Sequence, residues 1–210
     1  MTFTHAELVK IARRWLVGYA RCDFAFAEYG TGATREVPDA LGFLSSRRTL
    51  LIECKVSRGD FQADRKKPWR KDPALGVGDW RYYLAPQGLI APEDLPEKWG
   101  LLEVTPHGTV KRRVELAITT RQSRSALHQL DDPYWQQRAQ ANDPRLDWLR
   151  EWQGQVAAQR FPKNSAAEDE LLYSVARRLH VKGCWDILKT DMNAEVHWHV
   201  GACPGTPPGG

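Results

Sequence analysis

The clearest periodic signal in the chain lies near its start. Leu8, Val9, Ala12, Trp15, Leu16 and Tyr19 recur at the spacing of one helix face. Thr4, with Glu7 three residues on, has the capping-box pattern that opens such a helix. The period then changes. Phe24 to Tyr29 and Val37 to Leu44 read as strands. A turn at residues 30–32 follows the first, and Pro38 and Gly42 weaken the second, favouring an edge, a bend or a bulge. Thr49 to Val56 is a mostly aliphatic strand bounded by Arg47 and Arg48 before it and Ser57, Arg58 and Gly59 after it. Alternation puts Leu50, Ile52, Cys54 and Val56 on one face and Leu51, Glu53 and Lys55 on the other.

Ser57 then caps a short helix that reaches Lys67 and is stopped by Pro68. Residues 68–79, with Pro68, Pro73, Gly76 and Gly78, predict a loop, and Trp80 to Ala85 a strand. A turn at residues 86–88 and a short helical turn from Pro92 to Lys98 lead to Leu101–Val104 and Val110–Leu116, a hairpin about His107 and Gly108. Beyond residue 122 the pattern is helical. Asp132-Pro133 and Asp143-Pro144 each set an N-cap before a proline, and Ser165 with Glu168 repeats the capping box before Leu171, Leu172, Val175 and Leu179. The Pro- and Gly-rich end from Gly201 predicts disorder. The expected organisation is an α/β core over residues 1–121, a helical extension over 122–200 and a tail over 201–210, with no internal repeat.

A hydrophobic fraction of 42% with 27% charged residues belongs to a soluble globular protein. No apolar run approaches the roughly 20 residues needed to span a bilayer. The first residues lack the basic-then-apolar layout of a secretory signal. Four scattered cysteines predict reduced thiols and a cytoplasmic setting. Charge sharpens this picture. Residues 1–120 hold 19 Lys/Arg against 15 Asp/Glu, while residues 121–210 hold 11 of each. Residues 57–71 alone hold six basic and two acidic residues, directly after the central strand. A basic patch in that place suits a phosphate backbone.

Glu53 and Lys55 are an expensive pair to bury unless each has a partner or an ion. Asp39 lies on the preceding strand, and the short connection through residues 45–48 brings it near Glu53. Two close carboxylates repel, and one takes a proton unless a cation sits between them. Magnesium suits such a place, because it takes hard oxygen ligands and keeps several waters. The Cys54 carbonyl can supply a further oxygen. Lys55 can position or help deprotonate a water and offset charge on a phosphorane-like transition state. This is a phosphodiester hydrolysis site in outline.

Pro38-Asp39, thirteen intervening residues, and then Glu53-Cys54-Lys55 resemble the signature of the PD-(D/E)XK nuclease superfamily. The run from Val56 through Ser57, Arg58, Gly59, Asp60 and Phe61, with residues 82–86 and 95–102, looks like its MmcB-like and phage-borne branch. The likeness covers roughly residues 3 to 118. It implies an α/β, restriction-endonuclease-like mixed central sheet flanked by helices. Asp39 and Glu53 are then metal ligands, with Lys55 the catalytic lysine. Mg2+ is the implied cofactor, with Mn2+ able to substitute, and DNA the implied substrate, in repair, recombination or phage DNA processing. Several branches add a glutamate from the first helix. Glu7 occupies that place, although the capping box explains it equally well.

Other readings stand beside these. Asp39, Glu53 and Lys55 also suit a structural salt-bridge cluster. Arg58, Lys66 and Lys67 are either phosphate contacts or a solvated helix face. His197 and His199 with Cys184 and Cys203 invite zinc, but their spacing fits no common structural zinc pattern. Trp135, Trp148 and Trp152 are either packing residues or a surface for a protein partner or a second copy. The function expected first is a magnesium-dependent deoxyribonuclease; the alternative is a catalytically silent nucleic-acid-binding or repair-accessory protein of the same fold.

Overall fold

The computed structural model describes residues 3–31, 36–44, 47–120, 132–140 and 144–182. Cys184, His197, His199, Cys203 and the tail from Gly201 lie outside the described residues. Helix α1 (His5–Gly18) starts where the sequence places it, with Thr4 and Glu7 closing the capping box. Six strands follow: β1 (Phe24–Ala27), β2 (Ala40–Leu44), β3 (Arg48–Cys54), β4 (Trp80–Pro86), β5 (Trp99–Val104) and β6 (Val110–Val114). Two short helices, α2 (Arg58–Asp64) and α3 (Pro68–Lys71), sit between β3 and β4. Three more helices follow the sheet: α4 (Pro133–Gln140), α5 (Asp147–Ala158) and α6 (Ser165–Val181).

The strands form one mixed sheet in chain order. β1, β2 and β3 pair antiparallel, β3, β4 and β5 parallel, and β5 and β6 antiparallel. All seven residues of β3 and all six of β5 are buried, as expected of strands covered on both faces. The predicted alternation along β3 decides which residue meets which layer. Leu50, Ile52 and Cys54 pack with Leu8, Val9, Ala12 and Leu16 of α1 and with Leu149, Trp152 and Val156 of α5. On the other face Leu41, Phe43, Leu51 and Tyr83 pack with Phe61 of α2 and with Phe161, Ala167 and Leu171. The C-terminal helices therefore close both sides of the core, and Trp152 is buried with its indole N–H on the Ala117 carbonyl. Trp135 packs partly buried against this layer, and Trp148 is exposed.

Several boundaries differ from expectation for local reasons. β2 begins at Ala40, since Pro38 has no N–H to give to the ladder. Gly42 lies in regular pairing with Leu50, without a bulge; a Cβ there would stand 2.5 Å from the Cys22 sulfur, so the glycine admits a close approach. Pro68 opens α3 as a first-turn proline inside the stretch expected to be a loop. Asn164, not Ser165, caps α6 by accepting the Ala167 N–H. Among the described residues no helix is long and apolar enough to cross a membrane.

Candidate functional site

The site forms where the β2–β3 ladder ends. The last paired residues are Ala40 and Ile52, so Pro38 and Asp39 come opposite Cys54 and Glu53. Pro38 gives Cys54 no N–H, and the Asp39 side chain takes over the edge by accepting the Cys54 N–H at 2.7 Å. The Asp39 carbonyl in turn accepts from the Glu28 N–H at 3.1 Å. Asp39 and Glu53 are thus neighbours on one face of the sheet, as the sequence spacing predicts. Burial, and then the Glu53 charge, push the Asp39 carboxyl up to about 6. His5, at the start of α1, approaches the free Asp39 oxygen to 3.4 Å.

Glu53 and Lys55 are both buried at 2% exposure. Lys55 Nζ bridges Glu53 Oε2 and Asp64 Oδ1, each at 3.2 Å. Burial acts to lower the Lys55 pKa, but Glu53 and Asp64 outweigh it and raise it. The ammonium therefore keeps its proton, which suits charge stabilisation and hydrogen-bond donation and does not suit taking a proton from water. Glu53 Oε1 is buried with no hydrogen-bond partner among the described residues.

Asp64 and Arg70 escape sequence reasoning, which treats residues 57–71 as one basic surface. Asp64 is 1% exposed and accepts from Arg70 Nε at 2.8 Å, the Tyr83 hydroxyl at 2.8 Å and Lys55. Burial opposes its ionisation, yet Arg70, Lys55 and Lys67 hold it well below the usual carboxylate range. Arg70 also reaches Glu36 at 2.5 Å and lies over the Trp99 ring at 4.9 Å. Its second terminal nitrogen stands 3.2 Å from Glu53 Oε2 without the alignment of a hydrogen bond. Glu36 accepts the Val77 N–H, and its burial raises its carboxyl. One signal for Asp64 was available: it follows Phe61 by three residues, so the two share a helix face and are buried together.

The remaining expected site residues fall into two groups. Glu7 is exposed and bonded to the backbone N–H and hydroxyl of Thr4, which lowers its carboxyl. The α1 side chain that reaches Asp39 is His5. Lys67 pairs with Asp64 at 2.7 Å, and Arg58 with Asp94 at 2.6 Å. Lys66 is exposed, as are Arg65 and Lys71. The basic stretch is therefore split between a buried network and an open fringe.

The donor set at the ladder's end fits a hard divalent cation. The unpartnered Glu53 Oε1, the Asp39 oxygen not bonded to Cys54 and the Cys54 carbonyl, which lacks its ladder donor, are all oxygen. Among the described residues no three His, Cys, Asp or Glu side chains are grouped for a metal ion, so two carboxylates and a carbonyl leave most positions to water. That is the habit of magnesium. The Cys54 side chain is turned into the core under α1, and burial pushes its thiol up.

A second polar cluster occupies the opposite end of β3. Asp79 accepts from the Thr49 N–H at 2.9 Å, Lys163 at 2.6 Å and Arg160 at 2.7 Å. Glu168 accepts from the Thr49 hydroxyl, the Gly78 N–H and Lys163. This is where the side chain of the expected capping-box glutamate goes. Two concavities of about 500 and 370 Å3 open beside this cluster. Arg160, Lys163 and Arg47 are each paired with Asp79, Glu168 or Asp169, so the cluster ties residues 160–169 to the sheet.

The fold defines an α/β protein with a six-stranded mixed sheet flanked by helices. Comparison with models of known protein families finds no match, and comparison with curated proteins finds none either. A solved structure of a protein of unknown function from Silicibacter pomeroyi is similar at 18% identity and a TM-score of 0.47, covering 94% of this chain and 100% of that one.

Proposed function

We propose that the chain is a metal-dependent nuclease of the PD-(D/E)XK type, with a restriction-endonuclease-like core, hydrolysing phosphodiester bonds in DNA. The observation that carries this reading is the facing pair Asp39 and Glu53, with Asp39 raised to about 6 and one buried Glu53 oxygen without a partner. Such a pair stays fully ionised when a cation lies between its members. Asp39, Glu53 and the Cys54 carbonyl would hold Mg2+ or Mn2+, which supplies Lewis acidity and a water of lowered pKa.

The chain's own groups then act as follows. Lys55, fixed between Glu53 and Asp64, presents a permanent positive charge to the phosphorus oxygens that gain charge in the transition state. Asp64 and Arg70 hold Lys55 and Glu53 in place. Lys66 and the exposed cations beside it lie just past the site and suit the phosphates that flank the scissile one. A second reading rests on the same network: Lys55, Glu53, Asp64, Arg70 and Glu36 satisfy one another, as a purely structural ion cluster does. That reading makes the protein a silent nucleic-acid binder.

Incubation with labelled single-stranded, duplex, flap and four-way-junction DNA separates the two. The nuclease reading expects product with Mg2+ or Mn2+ and none with chelator. Binding without product under every condition supports the silent binder.

A further inference from the structure

Helix α1 carries a charge pattern that neither the core nor the candidate site uses. Its buried stripe is Leu8, Val9, Ala12, Trp15 and Leu16. On the other side Lys10, Arg13 and Arg14 are exposed, three and four residues apart and therefore neighbours on the helix surface. A solvated helix face ordinarily mixes signs, because like charges at that spacing repel. Here the helix's one acid, Glu7, is committed to Thr4. Among the described residues Arg13 and Arg14 have no ion pair.

On strand β6 Arg112 continues the pattern on the α1 side, while Lys111, registered opposite Glu103, projects to the other face of the sheet. The Arg112 guanidinium lies 4.7 Å from the centre of the Tyr19 ring, so β6 meets the C-terminal end of α1, and Glu115 pairs with that same arginine. At the other end of α1, His5 stands 3.4 Å from Asp39. The α1 surface therefore runs from His5, beside Asp39 at the end of the β2–β3 ladder, to Arg112 at the β6 edge, on the side of the sheet away from Glu53 and Lys55. Lys10, Arg13, Arg14 and Arg112 are the four cations of this surface, and the acids beside them, Glu7, Glu28 and Glu115, are each held by Thr4, His5 or Arg112. Lysine and arginine on an edge strand also deter strand addition. Because α1 is no edge, that account leaves Lys10, Arg13 and Arg14 unexplained.

We propose that the α1–β6 surface binds the phosphate backbone of duplex DNA where it leads away from the Asp39–Glu53 site; the choice of polymer rests on the nuclease reading. From His5 to Tyr19 the helix advances about 21 Å at 1.5 Å per residue, on the order of six base pairs at 3.4 Å each. Contacts of this kind position a duplex and read no sequence.

The test replaces Lys10→Gln, Arg13→Gln and Arg14→Gln together, leaving Asp39, Glu53 and Lys55 untouched. Thermal melting is expected to be unchanged or slightly raised, since like-charge repulsion is relieved. Fluorescence anisotropy with a labelled duplex of about 20 base pairs, in chelator and across a salt series, then compares parent and variant. The expected result is weaker binding at low salt and a slope of log affinity against log salt flattened by up to about 2.7, at 0.9 per phosphate contact. An unchanged slope overturns the inference. So does a variant that loses binding to phosphatidylserine vesicles while holding DNA as the parent does, which assigns the surface to a membrane. The chelator keeps this result apart from cleavage. A parent that cuts DNA while the slope is unchanged refutes this surface alone, and a parent that shows the slope but never cuts refutes the nuclease reading alone.

Discussion

Asp39→Asn removes one charge of the facing pair and leaves an amide oxygen that can still accept the Cys54 N–H. In the metal-free protein, burial and Glu53 raise the Asp39 carboxyl from 3.8 to about 6. A carboxyl raised on folding binds its proton more tightly in the folded state than in the unfolded one. Its ionisation therefore costs stability as pH rises from near 4 through about 6, and the cost is complete above that. At about 1.36 kcal/mol per pH unit, the shift corresponds to about 3 kcal/mol. Its coupling to Glu53 and the loss of attraction to Lys55 bring the expected gain to about 1–3 kcal/mol. The assay is urea unfolding in chelator near pH 4.5 and pH 8. The variant should be the more stable protein at pH 8, and the gap should shrink at the lower pH. Adding Mg2+ should stabilise the parent by mass action and the variant little. A variant less stable than the parent at pH 8 in chelator would make Asp39 a structural partner and refute the repelling pair.

Lys55→Ala should abolish cleavage while DNA binding persists, read by single-turnover assay in the cold so that unfolding does not intrude. It also leaves Glu53 and Asp64 short of a buried partner, so urea unfolding should show a loss of about 3–5 kcal/mol. Gly42→Ala would put a Cβ 2.5 Å from the Cys22 sulfur and 3.0 Å from Leu16, and should lower stability by about 1–3 kcal/mol without touching the site. Lys66→Gln should flatten the salt dependence of DNA binding by about 0.9, since this lysine is exposed. Lys67→Gln should flatten it less, because Lys67 already neutralises Asp64.

What the sequence makes legible follows from local rules. Period two along Thr49–Val56 assigns Glu53 and Lys55 to the face that α1 does not cover, and the proline before Asp39 marks where the ladder stops. The Thr4 and Glu7 box and the hairpin about Gly108 are likewise local, and both are present. What stays hidden depends on distant partners. Asp64 and Arg70 look like ordinary surface charges until the α2–α3 turn folds them under Tyr83 and Trp99. Glu168 carries a capping-box spacing, yet its carboxylate is drawn to Thr49 and Gly78, far away in the chain, and Asn164 takes the cap. Trp152 is buried, as the packing reading has it, but nothing local tells which face of the sheet Leu149, Trp152 or Leu171 covers.

A Mn2+ titration followed by electron paramagnetic resonance asks whether Asp39 and Glu53 hold a divalent cation. The parent should bind about one ion per chain, displaced by Mg2+. Asp39→Asn and Glu53→Gln should each lose it, while Lys55→Ala should keep it. A parent that binds no ion at millimolar Mn2+, or a Glu53→Gln variant that binds as the parent does, would contradict the account.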